Sequence, residues 1–190
     1  MRRKSLRNTV CPISRTLDRV GEWWSMLILR DAFQGFTRFD QFQVSLGIAP
    51  NMLARRLNAL TEAGFFEKKL YSRRPRRFEY VLTQKGWDFW GVLAMLSEYG
   101  NRHFATEGVA SRLVDARTRK SLDAAVVDKR SGNVLGPQNV AFATGPGADA
   151  ITKLRARYLE VRREGLEGKA EWDAYAAAEK AAKRRSSRRR

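Results

Sequence analysis

The region between positions 11 and 104 combines four glycine-separated helical patterns with two short aromatic segments on either side of a cationic turn. In each helical pattern apolar residues recur three or four positions apart, which is the spacing of one helix face. The patterns predict a helix beginning at Cys11-Pro12, then helices over 22–33, over 38–46 with Thr37 as N-cap, and over 50–63. Gly21, Gly35 and Gly47 separate these helices, and Gly64 ends the last of them.

The segment that follows predicts a β-hairpin and a further helix. Residues 65–71 and 77–83 are rich in aromatic and β-branched side chains, which is typical of strands, and 72–76 form a proline-containing turn between them. Residues 84–104 predict one long helix whose apolar residues cover more than one face. One small core needs a single apolar stripe, so the surplus face is expected to meet a partner subunit.

Four helices, a basic hairpin and a last helix define the expected fold class. It is mainly α with a small β-hairpin wing (α+β), a dimeric winged helix-turn-helix. We divide the chain into a basic arm over 1–10, this domain over 11–105, a small β-rich appendage over 106–144, and a linker, charged helix and basic disordered tail over 145–190. The appendage is expected to be a β-hairpin because VDARTRKSL at 114 is echoed as VDKRSGNVL thirteen residues later.

Net charge restricts the partners. The formal charge is +17, with 18 Lys/Arg against 9 Asp/Glu up to residue 105 and 19 against 11 beyond it. Such a charge favours polyanions, either nucleic acid or an anionic membrane. A membrane span needs roughly 18 to 20 apolar residues, and the sequence contains no such run or signal-peptide core. We therefore expect a soluble, cytoplasmic protein without a membrane partner.

Enzyme motifs are missing from the sequence. It contains no glycine-rich phosphate loop, metal-ligand cluster or nucleophile motif, and its only histidine, His103, is expected to be an ordinary helix-end residue. The single cysteine excludes an internal disulfide and a cysteine-built zinc site. We expect no enzymatic activity, no cofactor and no metal.

The helix over 50–63 is the candidate recognition helix. Three leucines occupy its inward side, and polar residues lie opposite them near the N-terminus. Arginine can pair with guanine and asparagine with adenine in the major groove, and a helix N-terminus favours a phosphate. The alternative is an ordinary solvated helix face. The expected DNA contacts on this helix are Pro50, Asn51, Ala54, Arg55, Arg56 and Asn58.

The cationic turn is the candidate wing. Four arginines surround Pro75, at the tip of a hairpin that directly follows the candidate recognition helix. Contact with the phosphate backbone, or entry of an arginine into the minor groove, is the expected role. Arg38 is an expected backbone contact from the preceding helix. The wing arginines are Arg73, Arg74, Arg76 and Arg77.

These landmarks together resemble a known family. They are CP at 11, GEWW at 21, LILR at 27, RF at 38, IAPNML at 48, RL at 56, LTEAG at 60, and FEYVLT at 78 with Gly86. The sequence is similar to HxlR-type bacterial regulators, which are relatives of MarR-like winged-helix proteins. Ala49 departs from the family, which often has serine there. This puts side-chain capping of the helix over 50–63 in doubt.

The resemblance implies a homodimer joined mainly through its first and last helices and bound to a pseudo-palindromic double-stranded operator. The residues expected at the interface are Ile13, Leu17, Val20, Trp90, Leu93 and Leu96. A small-molecule effector in a crevice of the dimer is a further expectation.

Cys11 has two interpretations. Some proteins of the resembled family sense oxidants or electrophiles through a cysteine at the matching position, and a helix N-terminus beside Arg15 favours the thiolate. The chain has no second cysteine that could form an internal disulfide with an oxidised Cys11. The products that remain for such a sensor are a disulfide between subunits, a mixed disulfide or an adduct. The alternative is a small apolar residue that packs at the interface.

Three functions are compatible with the sequence. The leading one is a homodimeric, sequence-specific DNA-binding transcription regulator. The second is a non-specific nucleoid or RNA-binding protein, helped by the basic tail, with steep salt dependence. The third makes 106–190 a protein-interaction module, with DNA binding secondary.

Overall fold

The computed structural model describes residues 9–188 as two compact units, one up to Val134 and one from Leu135. Residues 1–8, most of the predicted basic arm, lie outside this range. The predicted order of four helices, a hairpin and a C-terminal helical segment is confirmed for the first unit. Its elements are α1 (Pro12–Val20), α2 (Trp23–Phe33), α3 (Phe39–Leu46), α4 (Pro50–Glu62), β1 (Phe66–Arg73), β2 (Arg76–Leu82), α5 (Gln84–Trp87) and α6 (Trp90–Phe104).

The core of the first unit forms around α2, whose sequence is apolar on nearly every side. Ile28 and Leu29 of α2 are fully buried, as is Phe42 of α3. Full burial of one such side chain contributes about 1.5–3 kcal/mol. The buried residues that α4 and the hairpin add to this core are Leu53, Leu57, Leu60, Phe65, Phe66 and Leu82. The three leucines fix α4 by one side and leave its opposite side toward solvent.

The start of α3 differs from the prediction. Thr37 is not the N-cap; that position is Arg38, and the side-chain oxygen of Gln41 accepts the backbone N–H groups of Arg38 (2.9 Å) and Thr37 (3.0 Å). Gln41 therefore replaces the threonine hydroxyl in fixing this helix end. The carbonyl of Thr37 accepts the N–H of Tyr80 (2.7 Å), which ties α3 to the hairpin.

The hairpin is antiparallel and its turn is shorter than predicted. The register runs from Phe66 opposite Leu82 to Arg73 opposite Arg76, with an irregularity between Leu70 and Ser72. The predicted turn over 72–76 is thus reduced to two residues, 74 and 75, because the backbone pairing continues almost to the tip. Three of the four arginines are consequently strand residues.

The prediction of a single helix over 84–104 is wrong, because this segment is divided into α5 and α6 at residues 88–89. Phe89 lies at the break and is buried, with its ring edge-on to Phe65 at 5.8 Å. Thr83 caps α5 by accepting the N–H of Gly86 (3.2 Å). A Cβ atom on Gly86 would collide with the carbonyl oxygen of Phe65, so only glycine permits this close approach.

The repeated VD motifs form two similar turns rather than the predicted strands. Each is closed by one isolated β-bridge, Val114 with Ser121 and Val127 with Val134. The backbone N–H of Thr118 bonds to the Asp115 carboxylate at 2.6 Å and lowers the pKa of that group, and the hydroxyl of Ser131 does the same for Asp128. Hydrogen bonds from an aspartate side chain to nearby backbone N–H groups compete with strand pairing, so these segments form turns in place of the predicted strands.

The two turns differ at their left-handed residue, which is Arg119 (φ 60°) in the first and Gly132 (φ 75°) in the second. No atom within 4 Å would meet a Cβ on Gly132, so Gly132→Ala adds only the conformational cost, about 1 kcal/mol. We expect the amide of residue 132, which bonds to the Asp128 carbonyl at 2.8 Å, to exchange hydrogen about fivefold faster after correction for the intrinsic rate. Arg119→Gly is the matched control and should slow exchange at residue 119. Equal protection in all the variants would contradict the prediction.

The second unit contains α7 (Ala150–Arg163) and α8 (Lys169–Arg188), which contact each other. The charged helix expected over 151–164 is confirmed. The prediction of a disordered tail is wrong for residues 183–188, because α8 continues through Arg188. Residues 189–190 lie outside the described range. Alanine, lysine and arginine are strong helix formers, and cations are favourable near a helix C-terminus. Helix propensity therefore outweighs charge repulsion here.

Candidate nucleic-acid interface

The outward side of α4 is free of core contacts near its N-terminus. The chain leaves α3 through Gly47, whose left-handed φ of 59° suits glycine, and α4 begins at Pro50 three residues later. This is the compact turn of a helix-turn-helix. Of the six residues predicted to contact DNA on this helix, four are exposed: Pro50, Asn51, Arg55 and Asn58. Ala54 is half-buried beside them.

Arg56 points away from this surface. Its side chain is 15% exposed, and its guanidinium pairs with the carboxylate of Glu22 at 3.1 Å, immediately before α2. The neighbouring Arg55 is exposed. We therefore move Arg56 from the predicted DNA contacts to a positioning role, because it joins the candidate recognition helix to the core helix.

The two asparagines use their oxygen atoms within the protein. Asn51 accepts the backbone N–H of Met52 (2.7 Å), and Asn58 accepts a hydrogen bond from Lys68 of β1 (2.8 Å). Their amide NH₂ groups donate no hydrogen bond to any residue in the described range. Ala49 is the N-cap of α4 and provides no side-chain bond, so Asn51 takes over part of that role. Lys68, which was not among the predicted site residues, links the hairpin to α4.

The four wing arginines are all exposed, and none forms an ion pair with any residue in the described part of the chain. Arg73 and Arg76 are direct partners in the strand register, and the Arg76 guanidinium lies 5.1 Å from the centre of the Phe78 ring. Like charges opposite each other destabilise a strand pair. A polyanion at the tip would remove that repulsion.

Arg38 is held against the hairpin. Its Nε atom pairs with Glu79 at 3.0 Å, and its guanidinium lies 4.5 Å from the centre of the Tyr71 ring. The side chain is still 47% exposed, so a phosphate contact is sterically open, but Glu79 compensates part of its charge. Arg38 therefore orients the wing relative to α3.

The residues predicted at the subunit interface separate into two groups. Val20 is fully buried in the protomer and Leu93 packs against the same core, so neither presents a free surface. The remaining four are 40–58% exposed: Ile13, Leu17, Trp90 and Leu96. Other apolar residues of α6 that the prediction omitted are also exposed, namely Val92, Tyr99 and Phe104.

Cys11 is half-buried and is the N-cap residue of α1. Its backbone N–H donates to the Thr9 hydroxyl at 3.2 Å, and the Arg15 guanidinium donates to the Thr9 carbonyl. Arg15, which was expected to favour the thiolate, thus holds the backbone of residue 9, two positions before the cysteine. A redox role for Cys11 stays a prediction.

Metal-binding and membrane-spanning features are both missing from residues 9–188. No group of three or more His, Cys, Asp or Glu side chains in this range is arranged to hold a metal ion. No helix within the same described residues combines the length and apolar character that crossing a membrane requires.

Comparison with known proteins agrees with this geometry. A family model described as HxlR-like helix-turn-helix matches residues 19–108. The uncharacterized HTH-type transcriptional regulator Rv3095 of Mycobacterium tuberculosis is 35% identical over 139 residues, which cover 73% of this chain and 88% of that protein. A similarly described regulator of Synechocystis is 33% identical over 93 residues, 48% of this chain and 69% of the relative.

Two solved structures are similar to the fold. PA1607, a candidate transcription factor, has a TM-score of 0.66 and 35% identity, covering 73% of this chain and 98% of that one. PA1374 from Pseudomonas aeruginosa, also a candidate transcription factor, has a TM-score of 0.57 and 46% identity, covering 76% and 99%.

A helix-turn-helix followed by a basic hairpin defines a winged-helix DNA-binding protein that regulates transcription. The similarity extends over most of the length of its relatives, which are named for regulation rather than for catalysis. The chain belongs to the HxlR-like helix-turn-helix family.

Proposed function

We propose that the protein is a homodimeric regulator that recognises one double-stranded operator sequence, with α4 in the major groove and the β1–β2 hairpin on the backbone or in the minor groove. It acts by occupying a promoter and has no catalytic role. The observation that carries this proposal is the exposed N-terminal side of α4 together with four exposed arginines on the hairpin, which form no ion pair with any described residue.

Base recognition is assigned to the exposed side of α4. The Arg55 guanidinium suits the two acceptors of guanine, and the NH₂ groups of Asn51 and Asn58 suit acceptors on base edges. Ala54 offers a small apolar contact for a thymine methyl group. Pro50 opens the helix, whose free N–H groups favour a nearby phosphate.

Binding strength and register are assigned to the wing and to Arg38. Phosphate contacts fix a protein on the duplex without reading its sequence, and a narrow minor groove attracts arginine. Arg38 is held by Glu79 and contributes mainly by setting the direction of the hairpin.

Dimerisation is assigned to the exposed apolar residues of α1 and α6. A soluble monomer rarely exposes a large contiguous apolar patch, and such patches mark interaction sites. Two copies related by a two-fold axis would place their α4 helices in successive major grooves, about 10 base pairs apart. The operator is therefore expected to be pseudo-palindromic.

Selection of bound sites from a pool of random duplexes, followed by a genome-wide binding map, tests the proposal. The expected result is one two-fold symmetric motif that resists competition by random DNA. The non-specific nucleic-acid-binding alternative predicts no enriched motif and equal retention of random DNA or structured RNA. That outcome would overturn the proposed function.

Replacement of the exposed arginine of α4 tests base recognition. Arg55→Ala should weaken binding to the selected operator by roughly 1–3 kcal/mol and change binding to random DNA little, because a base contact acts only on the cognate sequence. Arg112→Ala removes one exposed charge outside α4 and the wing and is the matched control. Fluorescence anisotropy titrations measure both. Equal losses on the operator and on random DNA would contradict the assignment.

A further inference from the structure

The C-terminal half of α8 carries a concentrated positive charge that the proposed winged-helix interface does not use. Positions 180–188 contain five Lys/Arg residues and no acidic residue. The backbone of this segment is a regular helix, because α8 continues through Arg188. Lys180 and Arg184 are one turn apart, about 6 Å along the axis, and Lys183 and Arg185 flank them. We name residues 180–188 the basic helix end.

The basic helix end extends past the packed part of its helical hairpin. The aromatic contacts lie at the connecting end, where the rings of Tyr158 and Trp172 are 5.3 Å apart. Helix α7 has 14 residues and α8 has 20, so six residues of α8, 183–188, exceed the length of α7 by about 9 Å. Lys183, Arg184 and Arg185 are exposed.

The charge distribution of the hairpin is asymmetric. The connecting end, residues 162–171, has three Lys/Arg and three Glu residues and is electrically neutral. The acidic residue that precedes the basic helix end is Glu179, which lies 3.9 Å from Lys183 and also accepts a hydrogen bond from Tyr175. Like charges one turn apart destabilise a helix, and a row of phosphates would reverse that effect.

We propose that the basic helix end is a second, sequence-independent contact for duplex DNA, which binds the phosphate backbone beyond the operator. The inference rests on the proposed DNA binding of the winged-helix unit, because one chain carries both sites. Once α4 and the wing are bound, the basic helix end meets flanking DNA at a high effective concentration. A membrane surface is disfavoured because Ala181 and Ala182 are the only apolar residues in this segment.

The test uses the full chain and two random-sequence duplexes, one just long enough for a dimer and one several times longer. The variant combines Lys183→Gln, Arg184→Gln and Arg185→Gln. The matched control combines Arg162→Gln, Arg163→Gln and Lys169→Gln, which removes the same charge from the connecting end. On the long duplex the variant should lower the slope of log affinity against log salt by roughly two to three units for each bound protomer. The control and the short duplex should show little change.

A second measurement needs no variant. The wild-type protein should gain affinity when random flanks are added to a duplex of the selected operator, beyond the gain expected from additional sites, and a hydroxyl-radical footprint should extend from the operator into the flanks. If the variant matches the wild type in slope and flank dependence, or if the control loses as much, the inference is overturned. Selective loss of binding to poly-glutamate or to phosphatidylserine vesicles, with DNA binding intact, would also overturn it by indicating an acidic partner.

The proposed function and this inference fail in different ways. If the wild type shows no preference for any selected operator, sequence recognition by α4 is contradicted. The salt slopes on random duplexes remain interpretable in that case, because they measure phosphate contacts alone. If the operator preference holds but flank dependence is missing, only the second contact is contradicted.

Discussion

Replacing Arg73, Arg74, Arg76 and Arg77 together with glutamine is expected to weaken binding to every DNA sequence and to lower the salt slope by roughly three to four units for each bound protomer, about 0.9 for each phosphate that is no longer neutralised. All four side chains are exposed, and within residues 9–188 none is neutralised by an acidic partner. Their charge is therefore available to displace counterions from DNA. Salt titrations on operator and random duplexes measure both slopes.

The same substitution is expected to leave the fold intact, because Arg73 and Arg76 face each other across the strand pair and their mutual repulsion is removed. Circular dichroism checks this point. A quadruple change at Arg117, Lys120, Lys129 and Arg130, all exposed in the repeated turns, removes the same charge elsewhere and should lower the slope much less. An unchanged slope in the wing variant would place the wing away from DNA.

The elements of the winged helix are predictable from sequence because they depend on local signals. Glycines mark the helix ends, and the change from helical spacing to aromatic segments marks the hairpin. The leucines of α4 show the same logic for the site. Leu53, Leu57 and Leu60 are all fully buried, so the spacing alone indicates which side of the helix faces the core and which side faces solvent.

The individual side-chain roles are harder to predict because they depend on distant residues. Arg55 and Arg56 are adjacent and chemically identical, yet Arg56 is withdrawn by Glu22, 34 positions earlier in the chain. Arg38 is likewise held by Glu79, 41 positions later. Periodicity contains no information about such pairs, since each forms only when the helices and hairpin have packed.

The two errors in helix length have opposite physical causes. The helix expected over 84–104 is interrupted because burial of Phe89 against Phe65 outweighs local helix propensity. The tail expected to be disordered is helical through Arg188 because propensity outweighs repulsion between like charges. A charge run indicates a solvated segment, but it does not decide whether that segment is ordered.

Placing an aspartate on each helix of the proposed interface, Ile13→Asp in α1 and Leu96→Asp in α6, is expected to convert the proposed homodimer into a monomer. The two side chains are 58% and 50% exposed in the protomer, so the protomer itself should remain folded. In a dimer both carboxylates would be buried in an apolar interface, which costs several kcal/mol for each unpaired charge. Sedimentation equilibrium measures the change in mass.

Val44→Asp is the matched control for the oligomeric state. Val44 is 86% exposed on α3, so this variant introduces an aspartate in place of an apolar surface residue outside α1 and α6. It should remain dimeric. If the double variant stays dimeric as well, the subunits associate through another surface and the assignment of α1 and α6 is wrong.

Loss of the dimer is expected to have a much larger effect on the full operator than on a half-site. A dimer binds the second half-site at the effective concentration set by the first, which raises overall affinity by about 10²–10⁴ without any new base contact. The double variant should lose about this factor on the full operator and bind a half-site duplex as the wild type does. A proportionate loss on both duplexes would instead mean that the substitutions disturb α4 itself, since α6 and α4 both pack on α2.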